Sequence, residues 1–268
     1  MKKSLNSKKL NQNKNKNQNQ EANTRFVVGR NSVFEVLRYA PKRIEKIYYS
    51  TDRGDKRNNE ILNLAKQNNV NLEYAFKQDI QKLTKVENHQ GFVAVVRDDL
   101  DHSLKSFINK LENTKEEKSK ICVVAVDGVE DPHNLGTIFR ASECFGASGV
   151  LLCKNRGVSI TPATTKAAVG ATELVDYAEV SNMLTAIREL KKHGFWCVVA
   201  DVSKDAISLN DFESPNKAVL IVGAEGTGVK KILKEEADFI VKIPQVGKID
   251  SLNVSQATAV ILYQMMCL

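Results

Sequence analysis

Long apolar runs are missing from this 268-residue chain. No stretch approaches the roughly 20 residues that cross a bilayer. The amino terminus has neither the apolar core of a secretory leader nor the Arg-rich amphipathic pattern of a transit segment. Cysteine is sparse: five residues, Cys122, Cys144, Cys153, Cys197 and Cys267, with no C-x-x-C pair and no histidine at zinc-finger spacing. That excludes zinc ribbons and dithiol redox motifs, and leaves free thiols, most of them expected to be buried, in a reducing compartment. A cytoplasmic protein with no metal and no membrane partner is therefore expected.

Two nucleotide-binding signatures are also absent. No Lys-Ser/Thr ends a Gly-rich loop, which excludes a Walker loop, and no early G-x-G-x-x-G follows a first strand, which argues against a dehydrogenase. Basic charge is missing from most of the chain. The formal net charge is +7, but residues 1–25 hold six Lys, one Arg and one Glu, so the rest is nearly neutral. Any nucleic-acid binding by the body must use a local patch.

What is present begins with a polar, low-complexity tail over residues 1–24. It is too poor in apolar side chains to fold, so disorder is expected there. Residues 25–98 alternate short strands and helices, as in a small α/β domain. Asn31 stands where it could cap a helix with apolar positions Val33, Val36 and Leu37. Arg25, Arg30, Arg38, Lys42 and Arg43 gather near its start, as a phosphate-contacting face or as a solvated surface. His89 precedes the last strand and reads as structural. Residues 99–120 are charged and weakly helical, and read as a linker. Residues 121–268 alternate helices with continuous apolar runs such as Ile121–Val126 and Ala218–Val222. Strands apolar on both faces predict a parallel sheet covered by helices on both sides.

Three polar turns follow apolar runs in this second region. The first is DGVEDPHNLGTIFR, Asp127–Arg140; the second is GAEGTG, Gly223–Gly228; the third is SLNVS, Ser251–Ser255. Ligands of open α/β sheets bind beyond the carboxyl ends of strands. Gly223, Gly226 and Gly228 permit close backbone approach. Glu225 can accept from an arginine or an amide. Arg140, in an otherwise apolar helical run, calls for a carboxylate such as Glu225 or for an anion. Asn134 and Asn253 each precede a predicted helix and would serve equally as caps.

In this order, D-x-V-x-D-P-x-N-x-G-x-x-x-R, G-x-E-G-x-G and I-P…S-L-N-V-S resemble the three motifs of the SpoU/TrmH branch of the SPOUT RNA methyltransferases. The segments GRNSVFEVL (Gly29–Leu37) and HQGFVA (His89–Ala94) resemble the amino-terminal domain of members that methylate 23S rRNA guanosine. The resemblance covers all but the first 24 residues. It implies an α/β protein with a parallel-sheet carboxyl-terminal domain tied in a deep trefoil knot, preceded by a small α/β substrate-binding domain. It implies methyl transfer from S-adenosylmethionine to a ribose 2′-hydroxyl of structured RNA, and a homodimer. By motif position, Arg140, Asn134, Glu225, Ser251 and Asn253 take the catalytic roles. Gly223, Gly228, Ile243 and Leu252 would cradle the methyl donor, and Arg30, Arg38, Lys42 and Arg43 are the candidate RNA contacts. A tRNA methyltransferase and a catalytically dead ribosome-assembly factor are the alternatives. The latter would be expected to lack Arg140, Glu225 or Asn253, and all three are present.

Overall fold

The computed structural model describes residues 24–50, 55–113, 120–248 and 251–268. The expectation of a disordered tail lies outside these, except at Thr24, which opens the first strand.

The amino-terminal half folds around a four-stranded mixed sheet in the order β1-β4-β2-β3. Its strands are β1 (Thr24–Val28), β2 (Ile44–Tyr49), β3 (Asn71–Tyr74) and β4 (Phe92–Arg97). Helix α1 (Arg30–Tyr39) lays Val33, Val36 and Leu37 into the core, as their spacing predicts. Its start differs from expectation. Asn31 lies inside the first turn, because Gly29, at φ 108°, turns the chain out of β1 and the helix begins at Arg30 with no side-chain cap. Helix α2 (Lys56–Gln67) is capped by Asp55, whose carboxylate accepts from the Arg57 N–H. Helix α3 (Lys77–Thr84) follows β3 directly. His89 Nδ1 accepts from the Gly91 N–H at 3.1 Å, a turn-forming role.

The region read as a linker is not one throughout. Leu104–Asn113 forms helix α4 and buries Phe107, Ile108 and Leu111. A Cβ on Gly149 would stand 2.4 Å from the Phe107 ring, so α4 is seated directly on the second sheet. The charges of α4 itself, Lys105, Lys110 and Glu112, lie off its buried face, and the run 114–119 is outside the described residues.

That second sheet has seven parallel strands in the order β7-β6-β5-β10-β8-β11-β9. They are β5 (Ile121–Asp127), β6 (Gly149–Cys153), β7 (Tyr177–Val180), β8 (Trp196–Ala200), β9 (Ile207–Ser208), β10 (Lys217–Gly223) and β11 (Phe239–Lys242). The continuous apolar runs β5 and β10 lie side by side, in register from Ile121 opposite Lys217 to Asp127 opposite Gly223. One face packs on α5 (Pro132–Cys144) and α9 (Val254–Cys267), the other on α4 and α7 (Met183–Lys192). Short helices α6 (Pro162–Ala167) and α8 (Lys231–Lys234) complete the layers. Thr161 caps α6 in a full capping box with Thr164. The cysteines divide: Cys122 and Cys197 are buried in strands, whereas Cys144 and Cys267, at the ends of α5 and α9, are exposed. Terminal turns point side chains to solvent that the surrounding apolar pattern assigns to the core.

The two sheets meet along α6 and β1. The Thr165 hydroxyl donates to the Phe26 carbonyl at 3.0 Å, and the Ser32 hydroxyl donates to the Thr165 carbonyl at 3.3 Å. Beside it the Glu173 carboxylate, with its side chain fully buried, takes a bidentate pair from Arg25 at 3.0 and 2.9 Å and a third contact from Arg43 at 3.0 Å. Arg43 is thus an internal tie and not an RNA-facing residue. Its position next to other cations in the sequence carried no sign of the carboxylate 130 residues away.

Candidate active site

The loop after β10 explains its own glycines. Gly223 leaves the strand where the chain doubles back, and a Cβ there would stand 2.1 Å from the Gly228 carbonyl carbon. The loop closes through a hydrogen bond from the Gly228 N–H to the Ala224 carbonyl at 2.9 Å. Gly226 and Gly228 have φ of +79° and +64°, the left-handed region that glycine enters without strain. Gly223 is therefore required by the loop against itself. Gly223→Ala should cost about 3 kcal/mol in urea unfolding, because backbone must move. Gly226→Ala, with open space around it, should cost only about 1 kcal/mol for its left-handed conformation.

The three turns converge. Asn253 caps α9: its Oδ1 accepts from the Ser255 N–H at 2.9 Å and the Ser255 hydroxyl at 2.6 Å. A backbone N–H can only donate, so this fixes the amide orientation and turns Nδ2 toward the other two motifs. Nδ2 donates to Asn134 Oδ1 at 2.9 Å and to Glu225 Oε1 at 2.5 Å. Asn134 Nδ2 donates to the same Glu225 oxygen at 3.1 Å. Capping and site-building are thus performed by opposite ends of one asparagine. Asn134 caps nothing: Asp131 caps α5, and Asn134 sits within its first turn, buried. Glu225 holds the two asparagines, not Arg140 as the pattern suggested.

Beside this triangle lies a cleft of about 500 Å³. Its walls are the ends of β8 and β10 (Ala200–Val202 and Val222–Gly228) and the start of α9 (Ser251–Val254 and Ala257). The size suits a nucleoside-sized ligand. The Gly-rich loop edges it, and Val222, Val254 and Ala257 give it an apolar floor. Gly223, Gly228, Ser251 and Leu252 all line the cleft. Ile243 instead lines a shallower recess on the β11 side, shared with Ala200, Ser251, Leu252 and Ala257.

Arg140 is not at the cleft. Six residues beyond Asn134 on α5, it is exposed on the opposite flank of α9, against Thr137, Ala141, Ser255, Gln256 and Ala259. No ion-pair or hydrogen-bond partner of Arg140 exists among the described residues. Of the other basic candidates, Arg30 pairs with Asp55 at 2.8 Å and Arg38 lies over the Tyr39 ring at 5.0 Å. Lys42 is exposed on a 3₁₀ turn.

Two supports escaped the motif reading. Asp127, buried at the end of β5, holds Lys230 at 2.5 Å and so ties the far end of the Gly-rich loop to the neighbouring strand. Ser255 positions Asn253. Both lie within the motif segments, but only register and distance reveal what they do.

The region from 121 to 263 matches the model of the SpoU rRNA Methylase family. The chain belongs to the SpoU rRNA methylase family. Residues 26–99 match the RNA 2′-O ribose methyltransferase substrate-binding model. Among curated SpoU relatives, a 23S rRNA (guanosine-2′-O-)-methyltransferase RlmB of Coxiella burnetii is 34% identical, over 89% of this chain and 93% of its own. A putative TrmH family tRNA/rRNA methyltransferase of Staphylococcus haemolyticus is 32% identical, over 89% and 93%. The fold of this SpoU chain is shared with an AdoMet-bound rRNA methyltransferase of Sinorhizobium meliloti. It has a TM-score of 0.71 at 23% identity, over 93% of this chain and 89% of that one.

Proposed function

We propose that this protein transfers the methyl group of S-adenosylmethionine to the 2′-hydroxyl of a guanosine ribose in 23S ribosomal RNA. The observation that carries this reading is the Asn134–Glu225–Asn253 triangle, which joins all three SpoU motifs beside a cleft edged by the Gly-rich loop. A relative with that named activity, 34% identical across nearly its whole length, supports the substrate. A cytoplasmic location belongs to the same proposal, since the proposed substrate is ribosomal RNA.

The cleft residues fit the co-substrate: Gly223–Gly228, Leu252 and the apolar floor would hold its adenosyl part, with Ile243 beside them. When bound, S-adenosylmethionine would supply an activated methyl on its sulfonium, taken in line by the 2′-oxygen as the carbon–sulfur bond breaks and the neutral thioether leaves. This chain's residues hold the acceptor ribose in line and stabilise the oxygen as its proton departs, and positioning alone can contribute several kcal/mol. Glu225, held by two amide donors, forms a fixed acceptor wall next to the cleft. Ser251, exposed at its rim, can donate to the ribose. Arg140 supplies positive charge for the developing alkoxide and the neighbouring phosphate.

Arg140 and the cleft lie on opposite flanks of the first turn of α9, so one protomer does not assemble the whole site. We place the missing half across a homodimer built on the α5–α9 face, where Val260 and Tyr263 leave apolar surface exposed. The trefoil knot belongs to the same proposal. β10 inserts between β5 and β8, and threading of the chain beyond it would stiffen the loops at the cleft. The domain division at 25–98 and 121–268 is likewise proposed, with α4 joined to the second part.

The test is incubation with labelled S-adenosylmethionine and separated pools of unmodified 23S, 16S and transfer RNA, followed by mapping of 2′-O-methyl sites. Label in one guanosine of 23S rRNA is expected. Label in tRNA alone would replace the substrate assignment, and label in no pool would overturn the activity.

A further inference from the structure

The basic residues near the start of the chain leave little for RNA to grip: Arg25 and Arg43 are tied to Glu173, and Arg30 to Asp55. Another feature of the same sheet is unaccounted for. Among the described residues, strand β3 is an edge strand, paired only with β2. Edge strands ordinarily carry charge that blocks pairing with other chains. This one ends in two exposed aromatic rings, Tyr74 at 59% and Phe76 at 67% exposure. They are not disordered against one another. Tyr74 stands edge-on to Tyr49 at 5.7 Å and 82°, and Phe76 stands edge-on to Tyr74 at 5.8 Å and 81°. Tyr49 is anchored in turn against the core.

Among the described residues, neither outer ring belongs to a buried apolar cluster. The apolar contact at the start of α3 is made by Ala75 and Ile80, which pack with Val28 and Val93, not by Phe76. The one carboxylate on β3, Glu73, alternates to the other face and pairs with Lys46. Asp79 is exposed in the first turn of α3, so the positive charge beside the rings is local. Lys77 follows Phe76 directly and is exposed. Lys77 and Lys166 flank His89, whose imidazole is held below its usual pKa by burial first and by these two ammonium groups as well. Lys166 belongs to α6 and lies against Gly29, at the end of β1, so the second cation stands at the seam between the two sheets. Rigid exposed rings next to cations are what unpaired nucleotides bind: the bases stack, and the ammonium groups meet the phosphates.

We infer that Tyr74 and Phe76 form a stacking platform for one or two unpaired bases of the RNA substrate, with Lys77 and Lys166 holding the adjoining phosphates. This rests on the RNA-methylating reading above and adds to it the structural class of RNA recognised: a single-stranded loop or bulge near the target nucleotide.

The test uses the full-length protein and an unmodified 23S rRNA transcript. The double substitution Tyr74→Ala with Phe76→Ala should raise KM for the transcript roughly ten- to hundredfold. Affinity for S-adenosylmethionine and kcat at saturating RNA should hold. The slope of log affinity against log salt should also be unchanged, because no phosphate contact is lost, whereas Lys77→Ala should flatten it. Phe76→Trp should keep wild-type KM. An unchanged KM in the double variant overturns the platform, as does a parallel loss of methyl-donor binding, which marks a structural role. Retained transcript affinity with failure to bind another protein assigns the rings to a protein partner and overturns it too. If the wild-type protein methylates no RNA, the functional reading fails; methylation with unaltered KM in the variants removes the platform alone.

Discussion

Arg140→Ala is expected to lower methyl transfer by two to three orders of magnitude while leaving affinity for S-adenosylmethionine unchanged. The magnitude is that of removing one preorganised charge or donor from a developing oxyanion. The unchanged affinity follows from position, since Arg140 lies across α9 from the cleft and touches none of its walls. Single-turnover rates and calorimetric titration of the methyl donor measure the two quantities separately. Substantial activity in Arg140→Ala at neutral pH would remove Arg140 from the mechanism.

The Lys variant distinguishes how Arg140 acts. A guanidinium is a poor proton acceptor because its nitrogen lone pairs are delocalised, so stabilisation of the alkoxide and grip on a phosphate are its natural roles. Arg140→Lys keeps the charge but loses the fork geometry. A rate between wild type and Ala, with the wild-type pH profile, is therefore expected. A Lys variant with a shifted profile would mean that proton transfer passes through residue 140. The shared site adds a second readout: mixing inactive Arg140→Ala with inactive Glu225→Ala should restore activity through hybrid dimers. No restoration would place both residues at one protomer's own site.

The elements most readable from sequence were those whose signal is local. β5 and β10 announced burial on both faces by uninterrupted apolar runs. Their neighbours were less readable. Tyr177–Val180 and Ile207–Ser208 are too short for periodicity to separate from loop, yet they extend the sheet at its two edges. α4 was mistaken for a spacer because its apolar stripe is three residues among many charges. At the site, residue types and spacing marked Asn134, Glu225 and Asn253 as companions. The pairing within the group was not readable, because it depends on which way α5 faces. Asn134 looks toward the Gly-rich loop, and Arg140, six residues later, has turned away from it. Likewise Arg43 looked like Lys42, and only the fold separates a buried tie from a surface charge.

That buried tie carries the largest stability effect expected here. Glu173 takes contacts from Arg25, Arg43 and the Thr172 hydroxyl, at 2.9 to 3.2 Å. Burial works against the charged form of Arg25, but Glu173, the Tyr177 hydroxyl and Asp98 more than reverse this, so its pKa is raised. Arg25 also donates to the Tyr177 hydroxyl at 2.6 Å, and burial raises the Tyr177 pKa to about 12. Tyr177 in turn stacks on His102 at 3.9 Å. Glu173→Gln leaves two guanidinium groups facing each other with Asp98, 3.6 Å from Arg25, as the remaining counter-charge, at about 3 kcal/mol. This is a large share of the 5–15 kcal/mol typical of a whole domain. Urea unfolding followed by far-ultraviolet circular dichroism should show the midpoint fall sharply. Because the tie joins β1 and the 3₁₀ turn before β2 to the 3₁₀ turn before β7, the loss should appear first as separation of the two sheets. Hydrogen exchange is expected to rise along β1 and α6 before β5 and β10 are touched. Replacing the set together, Glu173→Leu with Arg25→Met and Arg43→Met, should recover most of the stability, since buried ion pairs are often no better than apolar groups of like volume. A Glu173→Gln protein as stable as wild type would show that the junction is held by the Thr165 and Ser32 hydrogen bonds instead.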